Sequence, residues 1–200
     1  MTGDLRERVR RIYAALGETV EEDVSTLKPK VIRHETSTEV FQNFRGGLTQ
    51  EQIVNVAHTA IHNIANLGDH LRQWAKRNSL DPRRVDKTIA DSLDLKVIID
   101  LSNVDKHGYP PRDRGLSGKA LRLVDVDRVM RISSGPEPHS GAFVLMTPTP
   151  LPHVHGSGSV DVVVTGRVID DSDNLVGELQ DFMNNAVAAW EALLQEFALN

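Results

Sequence analysis

Apolar residues along this chain fall into two rhythms. Ile53, Ala57, Ala60, Ile64, Leu67, Leu71 and Trp74 alternate by four and three. That spacing lays one apolar stripe along a helix over about 50–78, of the kind that lines a helical bundle. Thr49 and Gln52 form a capping box at its start. Leu5, Val9, Ile12, Leu16 and Val20 predict a first amphipathic helix over about 4–23. Arg6, Arg8, Arg10 and Arg11 lie on its outer face among acidic neighbours, which reads as a solvated surface. Val176, Leu179, Met183, Ala186, Trp190, Leu193 and Phe197 predict a closing helix over about 173–197. Asp170, Asp171 and Asp173 would place negative charge at its positive end.

Between these helices the period drops to two. Val160, Val162, Val164 and Val168 alternate with Asp161, Thr165 and Arg167, the pattern of a strand with one wet face. Leu116 to Ile132 reads as a strand whose alternation shifts near Leu123-Val124, the mark of a bulge. Phe143 to Met146 is a short apolar strand, followed by a stiff connector with Pro148, Pro150 and Pro152. His153 and His155 fall in that connector and read as surface loop residues. Lys28 to Arg45 has no sustained period, and Val40, Phe41 and Phe44 suggest a short helical turn there.

The segment over 82–106 is the least ordinary. Asp81-Pro82 opens it, and Gly108, Pro110 and Pro111 end it. Leu93, Val97, Leu101 and Val104 share one face, yet Leu95 and Ile99 lie round the back. A helix apolar on nearly every side is normally buried. Lys96, Asp100, Asn103 and His107 nevertheless form a single polar file along it. Buried polar groups must be answered by a neighbouring segment, a second subunit or a ligand. The bland alternative is a satisfied structural network or a solvated face.

Composition narrows the function classes. Two hundred residues suffice for one core, and one domain over 1–200 is expected. A net charge of −5 argues against a protein held to nucleic acid by bulk positive charge, while leaving room for a local basic patch. With no cysteine there is no disulfide frame, thiolate metal site or Cys nucleophile. The charged amphipathic start is not a signal peptide, and no run reaches the roughly 18 apolar residues of a membrane span. A cytoplasmic protein without membrane attachment is expected.

No phosphate loop, dinucleotide fingerprint or nucleophile elbow occurs, so no nucleotide cofactor, and no cofactor of any kind, is expected. What remains is the set Asp69, Arg72, Asp100, Asn103, Lys106 and His107 on the central helices. A histidine with a cation and an amide beside it has the groups for acid–base work on an RNA phosphodiester, whose own 2′-hydroxyl can serve as nucleophile. His58 and His62 stand at i and i+4, the spacing at which two imidazoles can grip one metal. No Glu follows the first His, so this is not the metalloprotease signature.

The segment Asn103-Val104-Asp105-Lys106-His107 resembles the helix end of the HEPN-like helical bundles of bacteria and archaea, in which a polar-x-x-x-His segment closes a late helix. Asp100, Asn103, Lys106 and His107 are also similar to the Asp…Asn-x-x-Lys-His helix end of a loose set of bacterial proteins. The resemblance implies a homodimer with the His-bearing helices meeting across the interface and, in many members, metal-independent RNA cleavage. Active members place an Arg four to six residues before the His; here Leu101 and Ser102 stand in that window, and it holds no Arg.

The expected fold is α+β and mainly α: a HEPN-like helical bundle with a small antiparallel sheet, over about 116–169, inserted before the C-terminal helix. The expected function is an RNA-associated or defence-type module, with ribonuclease activity either retained or degenerate. His107 would act as acid–base group, Asn103 and Lys106 would hold phosphate, Asp69 or Asp100 would orient the imidazole, and Arg72 completes the set. Two alternatives stand beside it. One is a non-enzymatic homodimeric scaffold or partner-binding protein; the other binds metal through His58, His62 and a nearby carboxylate.

Overall fold

In the computed structural model the described residues are 21–23, 30–33, 38–41, 44–111, 113–133, 142–145, 153–157 and 159–198. Residues 4–20 of the helix expected over 4–23 and the Pro148–Pro152 connector lie outside them. The described residues form an α+β structure of four helices and eight strands. In chain order they are β1 (Glu21–Asp23), β2 (Lys30–Arg33), β3 (Thr38–Phe41), α1 (Gln50–Arg77), α2 (Arg83–Asp91) and α3 (Leu93–His107). Then follow β4 (Arg122–Ser133), β5 (Ala142–Leu145), β6 (His153–Gly156), β7 (Ser159–Ile169), β8 (Leu175–Glu178) and α4 (Leu179–Ala198).

Helix α1 begins where the capping box places it. Thr49 Oγ1 accepts the Gln52 N–H at 3.3 Å, and Gln52 Oε1 accepts the Thr49 N–H at 2.8 Å. Its apolar stripe is buried from Ile53 to Ala75. The helical segment expected over 82–106, opened at Asp81-Pro82 either directly or through a short leading helix, is a short helix followed by a longer one. Ser92 takes an extended backbone (φ −107°, ψ 116°), ends α2, and accepts the Leu95 N–H on its hydroxyl to start α3. A serine offers the new helix a cap that no apolar residue could. His58 and His62 lie opposite Asp105 and Arg72 lies opposite Asp86, so the α2–α3 segment returns along α1. Gly108, at φ +88°, closes α3 with its N–H on the Val104 carbonyl at 2.8 Å.

Helix α4 packs across this pair. Trp190 is 1% exposed, and its indole N–H donates to the Ile64 carbonyl at 3.1 Å. The ring lies over Gly68, where a Cβ would come into ordinary contact with it at 3.4 Å. The helices and one face of the sheet share a core in which Leu121, Val126, Val164 and Val168 meet the helical stripes.

Strand β7 is the axis of the main sheet. It pairs antiparallel with β4 along its whole length. Its other edge takes β1 at Asp161–Val163 and β8 at Arg167–Ile169. The register between β4 and β7 shifts between Val124 and Asp127, which is the bulge legible in the alternation. The bulge is pinned to the start of α1. Arg45 donates twice to Asp127, at 3.2 and 3.0 Å, and the Gln50 amide donates to the Val126 carbonyl at 2.6 Å.

Four expectations are corrected. Glu21–Asp23 is a strand, not the last turn of a helix, because β7 offers it an unpaired edge. The helical turn expected at Val40-Phe41 is instead part of the β2–β3 hairpin, in which Lys30 faces Phe41 and Arg33 faces Thr38. His153 and His155 lie on β6, paired with β5, and not on a loop. The closing helix starts at Leu179, since Leu175–Glu178 is taken by the sheet. Asp170 accordingly caps a tight turn, accepting the N–H groups of Ser172 and Asn174, each at 3.0 Å.

These polar turns make stability pH-dependent. Arg45 beside Asp127 holds its carboxyl below the usual carboxylate range, and the Asn174 N–H does the same for Asp170. A carboxyl lowered in the folded state adds stability that is present above the unfolded carboxylate range, roughly pH 4, and is lost as pH falls through the folded value. The melting temperature should therefore drop below about pH 4. Asp127→Asn should flatten that acid limb in a thermal series from pH 3 to pH 7.

Candidate functional site

The expected polar file on α3 does not behave as one unit. Asp100 is buried at 2% exposure, Lys96 is half-buried, and Asn103 and His107 are exposed. Asp100 is answered by the loop after α3: its carboxylate accepts the N–H groups of Leu116 at 2.7 Å and Ser117 at 2.8 Å. The loop approaches closely enough that a Cβ on Gly115, at φ +68°, would lie 2.4 Å from the Asp100 carboxyl carbon. Asp100 therefore anchors a turn.

Beside it, a cleft of about 450 Å³ opens between α1, α2 and α3. Asn66, Asp69, Arg72, Asp86, Lys96, Asn103 and Lys106 line it, over an apolar floor that includes Ala65, Ile89 and Ile99. Arg72 is held between two carboxylates, donating to Asp69 at 2.7 Å and to Asp86 at 2.8 Å. Its charge is thus locally balanced. Lys106 is different: its ammonium donates to the neutral amide oxygen of Asn66 at 3.2 Å and forms no ion pair among the described residues.

His107 lies in a neighbouring concavity with Asp100, Gly108, Pro110 and Gly115. Asn103 lines both concavities. Among the described residues the His107 side chain makes no hydrogen bond or ion pair. The two carboxylates expected to orient it are engaged elsewhere, Asp69 with Arg72 and Asp100 with the backbone. Of the six expected catalytic residues, four (Asp69, Arg72, Asn103 and Lys106) share the first cleft, and His107 and Asp100 meet only in the second.

The histidine pair on α1 finds a carboxylate. His62 Nε2 lies 2.7 Å from Asp105 Oδ2, and His58 Nδ1 lies 3.4 Å from Asp105 Oδ1. The other ring nitrogen of His62, Nδ1, is 2.7 Å from the Ser102 hydroxyl. Ser102 is itself 1% exposed and also lines the first cleft. Sequence reasoning had the histidines and expected a nearby carboxylate, but connected neither Asp105 nor Ser102 with them. Their spacing of three on a helix facing the pair was the available signal.

The chain matches no protein-family model, no curated protein and no solved structure.

Proposed function

We propose that the protein is an RNA-associated, HEPN-like bundle that holds single-stranded RNA at the end of α3 and does not cleave it. The observation that carries this reading is the Lys106 ammonium, held by the Asn66 amide in the lining of a polar cleft and in no ion pair among the described residues. Lys96 adds a second cation to the same wall. Asn103 connects that wall to the His107 concavity, so a phosphodiester backbone has polar contacts across both. Tyr109 follows at 43% exposure and offers a ring on which a base can stack. Against cleavage stand the lack of an Arg before His107 and the engagement of both carboxylates that would have oriented it. The homodimer implied by the resemblance would bring two α3 ends together, and exposed Tyr109 and Leu116 supply apolar surface for it.

The test is fluorescence anisotropy with a short labelled single-stranded RNA at several salt concentrations, with chelator present. Lys106→Ala should weaken binding roughly tenfold and reduce the salt slope by about one. The RNA should stay intact with the wild type and with His107→Ala. Equal affinity of wild type and Lys106→Ala would sink the binding role; cleavage abolished by His107→Ala would replace this reading with a ribonuclease.

A further inference from the structure

The cluster of His58, His62 and Asp105 lies on the α1–α3 seam and is not used by the RNA reading. One donor atom from each of these side chains lies within 4.8 Å of the other two. Both histidine side chains are about one-quarter exposed (25% and 24%), and Asp105 is 38% exposed, so the cluster is walled by protein yet open on one side.

The cluster offers a cation three donor atoms, one of them buried without a hydrogen bond among the described residues. If His62 Nδ1–H donates to Ser102 Oγ, the Nε2 lone pair is turned onto Asp105 Oδ2. His58 Nδ1 is buried and makes no hydrogen bond among the described residues, although Asp105 Oδ1 stands 3.4 Å away. In the other His62 tautomer the Ser102 hydroxyl donates to Nδ1 and Nε2–H donates to Asp105, an ordinary hydrogen bond whose proton a cation at the cluster would displace. Tetrahedral zinc with ligands at ~2.0–2.1 Å spaces its donors roughly 3.3 Å apart. His58 Nδ1 lies 3.4 Å from Asp105 Oδ1 and His62 Nε2 lies 2.7 Å from Oδ2, so the partly exposed carboxylate would turn to share a cation with both rings, and the donors, now within 4.8 Å of one another, would draw in around it.

We propose that His58 Nδ1, His62 Nε2 and Asp105 bind one divalent transition cation of the zinc class. Two imidazoles and a carboxylate suit zinc and its neighbours better than magnesium or calcium, which take oxygen ligands. Ser102 is a positioning residue: it fixes the His62 tautomer and ring, as carbonyls and carboxylates do behind other metal-bound histidines. Three protein ligands leave a fourth position open to water on the exposed side.

The experiment loads the full chain with zinc chloride, dialyses it against buffer, and measures metal content and melting temperature. Cobalt(II) substitution gives a visible spectrum that reports tetrahedral coordination. The wild type should retain one zinc per chain and melt higher with zinc than without. His62→Ala and Asp105→Ala should lose both effects, while His155→Ala, on β6, should keep them. Ser102→Ala should weaken zinc binding about 10- to 100-fold and alter the cobalt spectrum. Far-UV circular dichroism of each metal-free variant separates a lost ligand from a lost fold. A wild type that retains only trace zinc and shows no melting shift overturns the proposal, as does a folded His62→Ala that still binds. RNA affinity measured on the same His62→Ala protein should be unchanged, so the two readings fail independently.

Discussion

Asp100→Ala should destabilise the protein by about 3 kcal/mol, because two backbone N–H groups lose their acceptor at once. Leu116 and Ser117 both donate to this one carboxylate, which is 2% exposed midway along α3. A hydrogen bond to a charged acceptor contributes about 1.5–3 kcal/mol, and an N–H left unpaired in a buried place costs about 1–3. Two such bonds add up to roughly 3–6 kcal/mol, and exposed Leu116 lets water reach part of the gap, which keeps the expected loss at the low end. For a chain of this size the melting temperature should fall by about 10 °C. Asp100→Asn keeps one acceptor oxygen and should lose about half as much. Gly115→Ala strikes the same contact from the other side, through a clash with the carboxyl group and a positive φ. Thermal melts of the three variants check this. A neutral Asp100→Ala would mean that the turn is held by something other than this carboxylate.

Trp190→Ala should cost about 3–5 kcal/mol, the usual range for removing a large buried aromatic. The ring fills the space above Gly68 and ties α4 to α1 through the Ile64 carbonyl. Removing it opens a cavity that neither helix backbone can close, since both are committed to their own hydrogen-bond ladders. Trp190→Phe refills most of the volume and gives up the indole N–H, so about 1–2 kcal/mol is expected. Urea denaturation followed by circular dichroism measures both. Unfolding midpoints of Trp190→Ala and wild type within error of each other would show that α4 is not held by this ring.

Both predictions come from contacts that no spacing rule could supply, and the same divide runs through the site. The Lys96–Asp100–Asn103–His107 file was legible because residues at i, i+3 and i+4 share a helix face. Which of them would be buried was not. Only Asp100 met a loop, and that loop arrives from the far side of Gly108. Asp105 escaped notice because it lies about 200° round the helix from Asn103, on the face that meets α1. Arg72 stood in the candidate set, and only the packing of the next helix brought Asp86 onto it.

The sequence by itself determined the local matters: the Thr49–Gln52 start of α1, the Gly108 end of α3, the bulged alternation of β4 and the valine run of β7. Each depends on neighbours within a few residues, where propensity, capping and periodicity act directly. Only the tertiary structure decided that Glu21–Asp23 and Leu175–Glu178 are strands, since both share the outer edge of β7 and an unpaired strand edge recruits backbone whatever its intrinsic preference. The tertiary structure likewise assembled His58, His62 and Asp105, because bringing residues more than forty positions apart into one cluster requires the packing of two helices.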